Sequence, residues 1–197
     1  MNLCVYAGTF NPIHTAHLII AQFVKDEIGV DRVLFIPACL PPHRDKDIAD
    51  SHHRFEMVKL AIADNESFDI SDIEFQRQGK SYTYLTIQEL YNNYPDIEGK
   101  INFIIGTDAF AHIDKWYESE KLVKMVKFVI FPREQNFDEK SFFDKIKLKE
   151  IDYQIVNAPV IDISSTLIRS RLKEGKSIKY LVNNQVESYI HQHKIFE

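Results

Sequence analysis

Six apolar runs of strand length recur along the chain, at Leu3–Ala7, Val33–Pro37, Phe68–Ser71, Ile101–Gly106, Phe128–Phe131 and Tyr153–Val156. Stretches with apolar residues at helical spacing lie between and after them, at His14–Ile28, Ser51–Ala63, Tyr82–Tyr94, Asp108–Val123, Asp138–Lys147, Ser165–Lys173 and Asn184–His193. A strand that is apolar on both faces must be covered on both, and an intervening helix is the crossover that parallel pairing needs. The fold class that follows is α/β, a three-layer α/β/α sandwich around a parallel sheet. With 197 residues and no internal repeat or Gly/Ser-rich linker, the chain is expected to form a single domain over 1–197. Ligands of such sheets bind beyond the carboxyl ends of the strands, so the residues that follow strands are the ones to read for chemistry.

Composition removes several classes of function. The 24 Lys and Arg against 29 Asp and Glu give a net charge of −5, which argues against a nucleic-acid-coating protein, so any anionic ligand must meet a local positive site. Cys4 and Cys39 lie in apolar runs, as buried thiols of a reducing compartment do, and no disulfide framework is expected. Residues 1–10 lack a basic leader with a long apolar core, and no apolar stretch reaches the roughly 20 residues of a membrane span, so a cytoplasmic location without membrane contact is expected. The six glycines, at 8, 29, 79, 99, 106 and 175, never form G-x-G-x-x-G. Gly175-Lys176-Ser177 looks like the end of a P-loop, but Ser170 stands where that motif needs its first glycine.

The first apolar run leads straight into Gly8-Thr9-Phe10-Asn11-Pro12-Ile13-His14-Thr15-Ala16-His17. A helix starting near Thr15 puts His14 and His17 on one face of its first turn, where free N–H groups and the dipole favour an anion. Gly8 lets the backbone approach a phosphate closely. Taken alone, one histidine could cap the helix and the other fill the core, and a zinc site would need a third ligand that nothing nearby supplies. A second anion-binding pattern, Ile163-Ser164-Ser165-Thr166-Leu167-Ile168-Arg169, places three hydroxyls at a helix start and an arginine one turn in. Capping by Ser164 or Ser165 is the plain alternative. From Ser164 to Tyr180, Arg169, Arg171, Lys173, Lys176 and Lys179 oppose only Glu174, a local basic balance suited to a phosphate-rich ligand.

The first segment resembles the G-x-F-x-P-x-H-x-G-H signature of the HxGH nucleotidylyltransferases, with Ala16 in place of the last glycine and Asn11 where aspartate is common. The second resembles the triphosphate-binding I-S-S-T-x-I-R motif of the same superfamily. Pro41-Pro42-His43-Arg44, Arg54 with Met57, Ser81-Tyr82-Thr83, Gly106-Thr107-Asp108 and Lys115-Trp116-Tyr117 follow in an order that resembles the bacterial nicotinate-nucleotide adenylyltransferases over residues 2–170. Thr107 stands where alanine is frequent, and Leu85 where an aspartate or asparagine often lies. The resemblance implies a Rossmann-like nucleotidylyltransferase sheet and transfer of AMP from ATP to nicotinate mononucleotide, giving deamido-NAD and pyrophosphate. It implies His14, His17 and Arg169 as catalytic residues, with both histidines on the α-phosphate and Arg169 on the outer phosphates. It further implies Gly8, Thr9, Phe10, His43, Arg44, Gly106, Asp108, Ile163, Ser164, Ser165 and Thr166 as ATP-binding. Trp116 would stack on the pyridine ring, with the amides of Thr83 and Tyr117 on its carboxylate.

An acceptor phosphate is already a nucleophile, so this reaction needs positioning and charge stabilisation rather than a catalytic base. Mg²⁺ is expected on the ATP phosphates, with no metal-binding residue of the chain. Nicotinamide mononucleotide or phosphopantetheine as acceptor, and a nucleotide sensor without activity, are the competing readings. A tRNA-synthetase fragment would carry K-M-S-K-S, which is absent. The sequence leaves oligomeric state open, a homo-oligomer included.

Overall fold

The computed structural model describes residues 1–42 and 47–196, so His43 and Arg44 lie outside the described residues. All six expected strands form: β1 (Leu3–Gly8), β2 (Arg32–Pro37), β3 (Phe68–Ile70), β4 (Ile101–Gly106), β5 (Val126–Phe131) and β6 (Tyr153–Ile155). They pair in the order β3-β2-β1-β4-β5-β6, every neighbouring pair parallel. The order reverses between β1 and β4, and in open parallel sheets ligands bind beyond the carboxyl ends of the strands at such a point.

Strand residues alternate between two separate cores. Cys4, Tyr6 and Ile104 point into one, which α1 (Thr15–Ile28), α2 (Ser51–Ile62), α7 (Ser165–Lys173) and α8 (Asn184–His193) cover through Ile20, Met57, Ile168 and Ile190. Leu3, Val5, Phe103 and Ile105 point into the other. It is covered by α3 (Thr83–Asn93), α4 (Thr107–Phe110), α5 (Ser119–Met125) and α6 (Glu139–Phe143) through Ile87, Phe110, Leu122 and Phe143. Burial on both faces explains why the strands read as continuous apolar runs rather than as alternating ones.

Two helices differ from expectation. The stretch Asp108–Val123 is not continuous: α4 stops at Phe110, a 3₁₀ turn spans Ile113–Lys115, and α5 begins only at Ser119. Trp116 is extended, its ring edge-on to Phe103 at 6.4 Å, and Glu118 is left-handed at φ 51°, so burying the indole takes the place of helical hydrogen bonds. Asp114, within that 3₁₀ turn, accepts the N–H groups of Lys147 and Leu148. The stretch Asp138–Lys147 shortens to Glu139–Phe143, since its following residues are held by that same carboxylate. No helix among the described residues is long and apolar enough to cross a membrane.

Candidate active site

The chain leaves β1 at Gly8, whose carbonyl accepts the Ala38 N–H at 2.9 Å from the segment after β2. Phe10 then turns left-handed at φ 47° and buries its ring edge-on to Tyr6, at 5.6 Å, and to His17, at 5.1 Å. A Cβ on residue 8 would come 3.2 Å from Phe10 Cζ, a tight fit that glycine avoids.

His14 and His17 stack with ring centroids 3.7 Å apart and planes 28° apart. The His14 N–H donates to His17 Nδ1 at 3.2 Å, so neutral His17 carries its proton on Nε2. His14 is 3% exposed, and its Nδ1 is buried without a hydrogen-bond partner. Burial first, and then the nearby Arg133 cation, push the His14 pKa down to about 4. Burial, His14 and Arg133 together hold His17 well below the usual range. Both rings are therefore neutral near pH 7, offering hydrogen bonds rather than charge.

Four hydrogen bonds arrange the second motif. Ser164 Oγ caps α7 by accepting the Leu167 N–H at 3.1 Å, and Ser165 Oγ donates to the Pro12 carbonyl at 2.8 Å. One terminal nitrogen of Arg169 donates to the Asn11 carbonyl at 2.8 Å, the other to Thr166 Oγ1 at 3.4 Å. Ile163 packs against the first core, while Thr166 is exposed. The two sequence motifs are thus in direct contact, and Arg169 spends part of its fork on the loop that carries the histidines.

Gly106 and Asp108 flank the start of α4 at the end of β4, the strand beside β1. Asp108 faces Arg133 at 3.6 Å, and the Arg133 N–H donates to Thr107 Oγ1 at 3.2 Å. Arg133 also lies over the Phe131 ring at 5.5 Å. Sequence reasoning missed this cation, although its place directly after β5, at the carboxyl edge of the sheet, was available as a signal. Across the site, the rings of Tyr82 and Tyr117 stack at 4.6 Å, which brings the segments holding Thr83 and Tyr117 together. Neither of those two N–H groups has a partner among the described residues. Trp116 lies next to them, half-buried against Phe103. Among the described residues no group of three or more His, Cys, Asp or Glu side chains could hold a metal ion.

Residues 5–171 match the cytidylyltransferase-like family model. A protein of Caldicellulosiruptor bescii, named "Probable nicotinate-nucleotide adenylyltransferase", is 42% identical over the full length of both chains. One of Staphylococcus haemolyticus with the same name is 39% identical, covering 99% of this chain and 96% of its own. Among solved structures, the Plasmodium falciparum nicotinic acid mononucleotide adenylyltransferase complexed with NaAD superposes with a TM-score of 0.81 at 23% identity, over 99% of this chain and 97% of its own. A strand-order reversal beside β1, two stacked imidazoles at a helix start and a hydroxyl-rich helix docked on their loop agree with that kinship: the chain belongs to the cytidylyltransferase-like family and, within it, to the nicotinate-nucleotide adenylyltransferases.

Proposed function

We propose that this chain transfers the adenylyl group of ATP to the phosphate of nicotinate mononucleotide, releasing pyrophosphate and forming deamido-NAD. The observation that carries the reaction class is the stacked, neutral His14–His17 pair at the N-terminus of α1, because it offers N–H donors to an anion at a helix start. In this reading the acceptor phosphate oxygen attacks the α-phosphorus, and the bond to the bridging oxygen breaks toward pyrophosphate. His14 and His17 donate to the α-phosphate oxygens as charge shifts onto them. Arg169, Ser164, Ser165 and Thr166 hold the outer phosphates, with the backbone of Gly8, Thr9 and Phe10 lying along the chain of phosphates. Gly106 and Asp108 contact the nucleoside, and Arg133 supplies the long-range positive field. Mg²⁺ would ride on the ATP phosphates and water, neutralising charge there.

The unpaired N–H groups of Thr83 and Tyr117 support a carboxylate on the acceptor, and the names of the full-length relatives point to the same acceptor. Trp116 is assigned the pyridine ring. Pyrophosphate release, measured with ATP and a panel of nicotinate mononucleotide, nicotinamide mononucleotide and phosphopantetheine, tests the assignment. Turnover with the first at a kcat/KM at least tenfold above the others supports it, and preference for either of the others replaces it.

A further inference from the structure

Arg54, on the second turn of α2, is 1% exposed, yet its hydrogen bonds go to main-chain carbonyls rather than to a carboxylate. Nε donates to Ala49 O at 3.0 Å, one terminal nitrogen to Thr9 O at 2.8 Å and the other to Cys39 O at 3.2 Å. These carbonyls belong to three separate segments: the loop after β1, the loop after β2 and the residues leading into α2. A planar fork with donors in fixed directions can satisfy all three at once, which a lysine ammonium cannot.

The loop after β2 continues the connection. The Cys39 N–H faces the buried carboxylate of Glu74 at 3.4 Å, and the other oxygen of Glu74 accepts from Thr86 Oγ1 at 2.6 Å on α3. Leu40 exchanges hydrogen bonds with Ser81, its N–H donating to Ser81 Oγ at 3.0 Å and its carbonyl accepting the Ser81 N–H at 2.8 Å. Thr83, whose free N–H opens α3, is two residues beyond Ser81. An unbroken set of hydrogen bonds therefore runs from the loop ahead of His14 to the start of α3.

We propose that Arg54 is a positioning residue for adenylyl transfer: by clamping Thr9, Cys39 and Ala49 it fixes the loop of the ATP site in register with the acceptor helix α3, through Cys39, Glu74 and Ser81. The proposal rests on the two-substrate reaction assigned above. In-line transfer requires two independently bound phosphates to meet within a few tenths of an ångström, so a small shift between their supports lowers turnover while leaving each binding surface intact.

The test compares Arg54→Lys and Glu74→Gln with the wild type. It measures kcat, the Kd of ATP without acceptor and of nicotinate mononucleotide without ATP by calorimetry, and hydrogen exchange at the Ala38, Leu40 and Ser81 amides. Arg54→Lys is expected to lower kcat about 10²-fold with each Kd within about threefold, and Glu74→Gln about tenfold in the same pattern. Exchange at the three amides should rise together in Arg54→Lys, at least tenfold, with the Phe128 amide of β5 unchanged. Unchanged kcat, or Kd values that worsen in step with kcat, overturn the positioning role. Should the wild type fail to adenylate nicotinate mononucleotide, the acceptor assignment fails, and exchange still judges the clamp: unaltered protection in Arg54→Lys overturns it whatever the acceptor.

Discussion

His14 and His17 stack on each other, His17 also meeting Tyr6 and Phe10 edge-on, and two imidazolium ions could not share that space. Replacing His17 by alanine is expected to lower kcat by about 10²–10⁴ and to leave ATP affinity within several-fold, as stopped-flow and binding measurements would check. Because both pKa values lie below the ordinary one, kcat/KM should show no histidine limb between pH ~6 and ~8. A limb near 6.5 would mean that an imidazolium does the work. The same shift makes stability depend on pH. His14 titrates near 6.5 when unfolded and at about 4 when folded, so protons favour the unfolded chain. Stability is full above pH 6.5 and falls by about 3 kcal/mol as pH drops to 4, measurable by urea unfolding of wild type against His14→Gln. The histidine pair was readable because three-residue spacing at a helix start fixes a shared face. Arg133 carried a positional signal, directly after β5, but its relation to His14 arises only when β5 is laid two strands away from β1.

Strands were the easiest elements to read, because burial on both faces leaves an uninterrupted apolar run for each. The region from Asp108 to Val123 misled, because side-chain burial of Trp116 and the hydrogen bonds that Asp114 accepts from Lys147 and Leu148 override a helical pattern that is locally sound. At the junction of β4 and α4, a Cβ on residue 106 would meet Asp108 Oδ1 at 2.5 Å and the buried Phe131 ring at 3.1 Å. The carboxylate can swing away and the ring cannot, so Gly106→Ala should cost about 1–3 kcal/mol in thermal unfolding and should weaken ATP binding by displacing Asp108 from Arg133. The start of α3 and the Tyr117 segment together argue for acceptor choice. Two free N–H groups suit a carboxylate, whereas a carboxamide must turn its NH₂ toward one of them. A kcat/KM ratio of at least ~10² for nicotinate over nicotinamide mononucleotide is expected, and equal values would remove this site from the account.

The two motifs that define the site lie about 150 residues apart in the chain and meet through the Arg169–Asn11 and Ser165–Pro12 hydrogen bonds. Their helix starts were readable separately; that they grip each other was not, because sequence patterns report local propensity and these bonds depend on the closed sheet. Arg169→Ala should therefore raise the KM for ATP at least tenfold, through a lost phosphate contact and a loosened loop together, and lysine should rescue only in part. Activity assays over a range of ATP concentrations would read this. The same bond pattern bears on synthesis. A ribosome that has released residues 1–156 has delivered every strand, yet α7 and α8, which close one face, and the partners of Asn11 and Pro12 are still to come. On a growing polypeptide the loop that carries the histidines therefore waits for its two clamps, Ser165 and Arg169, until about 150 residues after it has left the ribosome.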